Sequence, residues 1–237
     1  MGTSTDRTSG SGGAWTPLKH AATAYTRDVS RGSAPRSRAA AVLARHVPVL
    51  GGSAAAFAGA AAGRSTAQRL GGLLSGVASD GLGEALRQAS LGNLVGRDRF
   101  EVVDELVTQL AGAGGDLDGQ AARDAVCDVL EELFGEADSW EELEHQAASR
   151  NDVERLLELF LTHYIYNRVP VVAERLGTIA APEAARRADR QMRQIIEDCV
   201  AIELPMDPLS VDWSGPGGRA LVESAVELAY QALEELA

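Results

Sequence analysis

From Phe100 onward, apolar residues recur three and four apart in runs that open on a capping residue and close on glycine or proline, a pattern that admits helices and little else. Phe100, Val103, Leu106, Val107 and Leu110 form one run, stopped by Gly112 to Gly115, and a second passes through Val126, Val129, Leu130 and Leu133 to Gly135. Ser139 with Glu142, and Asn151 with Glu154, have the spacing of capping pairs. The second pair opens a segment carrying Leu156, Leu157, Phe160, Leu161, Tyr164 and Ile165 before Pro170. Ala181-Pro182 opens a further helix that ends before Pro205, and after the loop MDPLSVDWSGPGG a last one carries Leu221, Val222, Ala225, Leu228, Ala229 and Leu233. No alternating strand pattern, hairpin signal or internal repeat interrupts this reading. An all-α fold is predicted, with Leu106, Leu110, Val129, Leu133, Leu157, Phe160, Ile195 and Leu228 among the buried positions of an antiparallel body.

The first hundred residues read differently. Residues 1–14 are rich in Gly, Ser and Thr and are expected to form a flexible tail, because nothing in them offsets the entropy of ordering. Thr16 as N-cap and Pro17 at the first helical position predict a short helix over about 17–30, closed by Gly32, with Leu18, Ala22, Tyr25 and Val29 on one apolar face. A linker follows to Arg38. Residues 38–96 are Ala- and Gly-rich, broken by Pro48, Gly51-Gly52, Gly63, Gly71-Gly72 and Gly92, and are expected to be helical with close backbone approach. Aromatic residues make up only 5% of the chain, so such small-faced packing must replace large rings. The expected organisation is a basic arm at 1–37, a Gly/Ala-rich helical segment at 38–96 and an acidic helical body at 97–237.

Charge divides along the same line. Residues 1–70 hold nine Lys/Arg and two acids (Asp6, Asp28), whereas the whole chain of 237 residues has a net charge of −12. Such an arm could fold back on its own body, dock on an acidic partner or touch nucleic-acid phosphates. Val47 to Gly63 is 17 residues of mostly Ala and Gly. That is shorter than the roughly 20 needed to span a bilayer, and small residues serve tight packing equally well. No secretory signal is evident, and the expected compartment is the cytoplasm, with Cys127 and Cys199 as buried thiols.

The candidate reaction motifs fail on spacing. Gly59 to Thr66 has one residue too few between its glycines for a phosphate loop and has Arg64 where lysine is needed. Glu142 and His145 lack the second Glu-x-x-His pair of a di-iron bundle. His20, His46, His145 and His163 show no zinc spacing. His163 beside Tyr164 reads as a helix-surface or core-edge residue, so no enzyme, metal centre or catalytic cofactor is expected. What stands out instead is the start, Met1-Gly2, from which the initiator is ordinarily removed. The freed α-amine titrates near about 8, against about 10.4 for a lysine. Lys19 is the only lysine, so the reactive amines number two. Trp15 with Leu18, Tyr25 and Val29 reads as a docking element, covered either by the acidic body or by a partner.

Met1-Gly2-Thr3-Ser4, then Gly10-Ser11-Gly12-Gly13, Trp15 and Pro17, an Arg/Ala-rich helix and the Gly-rich segment from Gly51 to Gly96 resemble the QatB family. That family belongs to the Qat bacterial anti-phage defence system, named for a QueC-like protein, an ATPase and a TatD-type DNase. The resemblance implies a non-enzymatic partner of the QueC-like protein QatC, an enzyme type that uses ATP to activate a deazaguanine carboxylate and pass it to an amine. It further implies that the amine is that of Gly2, which would carry a covalent deazaguanine, with Thr3 and Ser4 as adjoining recognition residues. The Qat ATPase and the TatD-type DNase are further partners on this reading. Two other classes stay open: a membrane-active effector using the Gly/Ala-rich segment, and a DNA-associated adaptor using the basic arm.

Overall fold

A computed structural model describes residues 12–33, 35–205 and 207–236. Among them are twelve α-helices and no strand, as the apolar periodicity predicts. In order these are α1 (Gly12–Ser30), α2 (Arg36–His46), α3 (Ser53–Ala58), α4 (Ala61–Asp80), α5 (Leu82–Gln88) and α6 (Arg99–Ala111). There follow α7 (Leu117–Phe134), α8 (Trp140–Arg150), α9 (Val153–Asn167), α10 (Pro170–Leu176), α11 (Pro182–Glu197) and α12 (Pro216–Glu235). No helix among the described residues is long and apolar enough to cross a membrane.

The helices gather into two compact units whose membership cuts across the boundaries at 37/38 and 96/97 expected from composition. Unit 1 takes the described residues of Met1–Gly59, Val169–Cys199 and Ala229–Ala237; unit 2 takes Ala60–Arg168 and Val200–Leu228. The expected acidic body is therefore divided. Charge and glycine content follow position along the chain, whereas packing follows the apolar stripes, and α10, α11 and the end of α12 belong with the N-terminal helices.

In unit 2, α4 packs against α5 to α9, and α7 lies along α9. Leu106, Leu110, Val129, Leu133, Leu157 and Phe160 are all buried, as expected. Four consecutive helices open on polar side chains. Asp98 Oδ1 accepts from the amides of Phe100 and Glu101, Asp116 from Gly119 at 2.7 Å, Ser139 Oγ from Glu142, and Asp152 from Arg155. The Ser139 box closes through the Asp138 amide, which donates to Glu142 at 2.8 Å. The expected cap at Asn151 is displaced by one residue, because the Asn151 amide group donates instead to the Leu74 carbonyl at 2.7 Å.

One expected core residue, Leu228, and the first residue of an expected apolar run, Phe100, are exposed. Phe100 is 75% exposed, since it lies about 200° around α6 from Val102, on whose side Leu106 and Leu110 are buried. Leu228 is 54% exposed, off the stripe of Val222, Ala225, Val226, Ala229 and Leu233.

Small residues let unit 2 close around its few rings. A Cβ at Gly63 would collide with the ring of the buried Tyr164, and one at Gly71 would strike the indole of Trp213. Trp213 donates its ring N–H to Ser75 at 2.7 Å. The Gly59 to Thr66 stretch that mimics a phosphate loop thus contains a packing glycine inside α4.

Unit 1 packs α1 against α2, α10 and α11, and α2 against α11. Leu18, Ala22, Tyr25, Val29, Leu43, Met192 and Ile195 are buried there. Helix α1 begins upstream of the expected start, with Pro17 in its interior. The residue four back, whose carbonyl the proline ring crowds, is Gly13, and a glycine backbone adjusts more easily than any other.

Candidate functional site

Helix α1 is the only described element that carries residues of the expected docking site. Leu18, Tyr25 and Val29 are spaced seven and four apart, so one stripe of the helix holds all three. The structure places that stripe in the core of unit 1: Leu18, Tyr25 and Val29 are buried, and the helices packed on α1 are α2, α10 and α11. The face expected to need covering is covered by the chain itself. Tyr25 fixes it further, its hydroxyl donating to Gln191 Oε1 at 2.9 Å with the Ala188 carbonyl at 3.3 Å. Burial, with Asp189 adding to it, pushes the Tyr25 pKa up to about 12.

Trp15 is a different matter, being 39% exposed, with the Lys19 ammonium 5.9 Å from its ring centroid. Gly2, Thr3 and Ser4 lie outside the described residues.

Beside Trp15 the exposed side of α1 meets α2 in a groove of about 750 Å³. Lys19, His20 and Arg27 line it from α1, Arg38 and Arg45 from α2, and all five are exposed. Pro17, Ala21 and Ala24 supply its apolar surface. The acid at its edge is Asp28, 3.6 Å from Arg38 Nε. Sequence reasoning found the basic arm but missed this groove. The legible signal was the seven-residue spacing of Arg38 and Arg45, which puts both on one face of α2; the other wall is α1, against which α2 packs.

A second polar cluster, also missed, lies in unit 2. Asp118 on α7 accepts the Ala62 amide at 2.8 Å and the Tyr164 hydroxyl, and Arg168 Nε stands 3.6 Å from it. Arg168 in turn lies 5.6 Å from the Tyr164 ring centroid. These partners tie the start of α4 to α7 and to the end of α9, which is an anchoring role. His163 Nδ1 is hydrogen-bonded to Asp128. The two thiols, Cys127 and Cys199, are half-buried rather than buried as expected, and their pKa is pushed up by that partial burial first and by neighbouring carboxylates second, the opposite of what a nucleophile needs. Glu142 is engaged in capping α8. No group of three or more metal-ligating side chains occurs among the described residues.

With this geometry in hand, comparison with known families matches residues 51–233 to the family described as Qat anti-phage system associated protein QatB. No curated protein matches the chain, and no solved structure does.

Proposed function

This chain belongs to the QatB family of proteins associated with the Qat anti-phage system, and on that premise we propose that it is the acceptor for a deazaguanine delivered by the QueC-like partner QatC. In this reading Met1 is removed and the Gly2 amine attacks the carboxyl carbon of an adenylated deazaguanine. A C–N amide bond forms, the bond to the adenylate oxygen breaks, AMP leaves and the amine proton passes to solvent. ATP is the source of the adenylate. Thr3, Ser4 and Trp15 are the recognition residues; Leu18, Tyr25 and Val29 act from beneath by holding α1 in unit 1.

The observation that carries the reading is the amine inventory in a member of this family. Lys19 is the only lysine, so an acyl group bound through an amine has two destinations, and an α-amine is the more often neutral of the two near pH 7. Glycine at position 2 also leaves the amine unobstructed by a side chain.

Intact-mass measurement after co-expression with the QueC-like protein tests it. One acyl addition is expected on the Met-cleaved wild type and on Lys19→Arg, and none on Gly2→Pro. Mapping of the added mass to Lys19, or no mass gain on a Met-cleaved chain supplied with ATP and the precursor, would overturn it.

A further inference from the structure

Two exposed features are unused by the fold and by the Gly2 reading. One is the groove between α1 and α2, with a rim of Lys19, Arg27, Arg38 and Arg45 over a floor of Pro17, Ala21 and Ala24. The other is the outer face of α6. Phe100 there is 75% exposed, the most exposed of the large apolar side chains. Asp104 follows it at four residues, exposed on the same face, and the neighbouring Glu101 lies 3.7 Å from Arg97.

Their chemistries complement each other. A groove for a phosphate backbone needs only cations and hydrogen-bond donors, whereas this one, besides Thr16 and Thr23, sets its cations around Pro17, Ala21 and Ala24, a form that accepts a ring flanked by carboxylates. The face of α6 offers a ring of that kind, with Arg99 on one side of it at 4.9 Å from the centroid. Charge points the same way. Unit 2, which bears α6, has 25 Asp/Glu against ten Lys/Arg, while unit 1, which bears the groove, has twelve Lys/Arg against nine acids.

We propose that the groove of one molecule receives the α6 face of a second copy, Phe100 seating on Ala21 and Ala24 while Asp104 meets the guanidinium groups of Arg27 and Arg45. The contact is head to tail, because groove and face are different surfaces; each copy offers one of each, and association can propagate.

Sedimentation velocity on the full chain tests this. At about 0.02 M salt the wild type is expected to form concentration-dependent oligomers, and at about 0.5 M the apparent dissociation constant should rise at least about tenfold. A groove variant, Arg27→Glu with Arg45→Glu, and a face variant, Phe100→Ala with Asp104→Lys, should each sediment as monomers. Mixed, they should form a one-to-one dimer, because the intact groove of the second meets the intact face of the first and neither can extend the chain. Circular dichroism checks that both remain helical, and Arg45→Ala with Phe100→Ser serve as milder substitutes if either double variant misfolds.

Wild-type monomers at low salt, oligomers that persist in either variant, or a mixture that fails to associate would overturn the proposal. So would salt-sensitive binding of a DNA duplex of about 20 base pairs that is lost in the groove variant while self-association is absent, which would give the groove to nucleic acid. Mass gain at Gly2 is read separately, so either idea can fail alone.

Discussion

Four helices of unit 2 and three of unit 1 begin by different means. In unit 2, α6, α7, α8 and α9 open on Asp98, Asp116, Ser139 and Asp152, each with its side chain accepting a backbone amide. In unit 1, α2, α10 and α11 have no side-chain cap and a proline at or beside the start: Pro35, Pro170 and Pro182. A carboxylate cap satisfies a donor and favours the positive end of the helix dipole; a proline merely omits the donor and presets the backbone. Unit 2 thereby places some of its surplus acids where they stabilise the fold. Unit 1, nearly balanced in charge, instead has lateral pairs such as Arg36 with Asp198 and Arg193 with Asp189 at 3.1 Å, which at its surface contribute little. Its cohesion therefore rests mainly on burial.

Substitutions can break or sharpen that contrast. The largest effect is expected in the apolar core of unit 2, where Phe160 is fully buried and stacks on Tyr164 with ring centroids 6.0 Å apart. Phe160→Ala should lower unfolding free energy by about 3 to 5 kcal/mol in urea titration. A loss below about 1 kcal/mol would mean that the polar ends, not the core, dominate unit 2.

A middle-sized effect separates the two ways of starting a helix. Asp116→Ala should cost about 0.5 to 2 kcal/mol through the lost bond to Gly119. Pro182→Ala should cost less, about 0.4 to 1 kcal/mol, chiefly by loosening the unfolded chain. Equal losses in denaturant titrations would erase the distinction.

The last effect, set apart by its pH dependence rather than by its size, belongs to Tyr25 in unit 1. Tyr25→Phe should cost about 0.5 to 1.5 kcal/mol, the worth of one hydrogen bond. Folded Tyr25 keeps its proton until about pH 12, whereas an unfolded tyrosine releases it near about 10, so its contribution is complete below 10 and is lost as pH rises through 12. Thermal unfolding across that window should be less pH-dependent in Tyr25→Phe than in the wild type.

How far the sequence disclosed this fold depended on the range of the interaction involved. Gly112 and Gly135 at helix ends, Ser139 and Pro182 at helix starts, and the stripe through Leu157 and Phe160 were legible because each is a matter of a few neighbouring residues. Asn151 misled because a partner 77 residues away, the Leu74 carbonyl, competes for its side chain. Phe100 and Leu228 misled because an apolar residue satisfies a loose three-or-four spacing on either side of a stripe. The union of Val169–Cys199 with the N-terminal helices was not written locally at all, nor was the meeting of Arg38 and Arg45 with Lys19 and Arg27. Of the site itself, Trp15 was found on an exposed position and its three companions in the core, while the residues expected to react precede the described chain.

The glycine at position 63 has an evolutionary corollary. A side chain there would need the volume that the Tyr164 ring fills, and that ring also reaches the Asp118 that receives the start of α4. Lineages cannot change such positions one at a time without passing through a poorly packed ancestor. Across the family, positions 63 and 164 should therefore drift as a pair: an alanine or serine at the first accompanied by a smaller side chain at the second, with positions 71 and 213 keeping the same reciprocal bookkeeping between glycine and tryptophan.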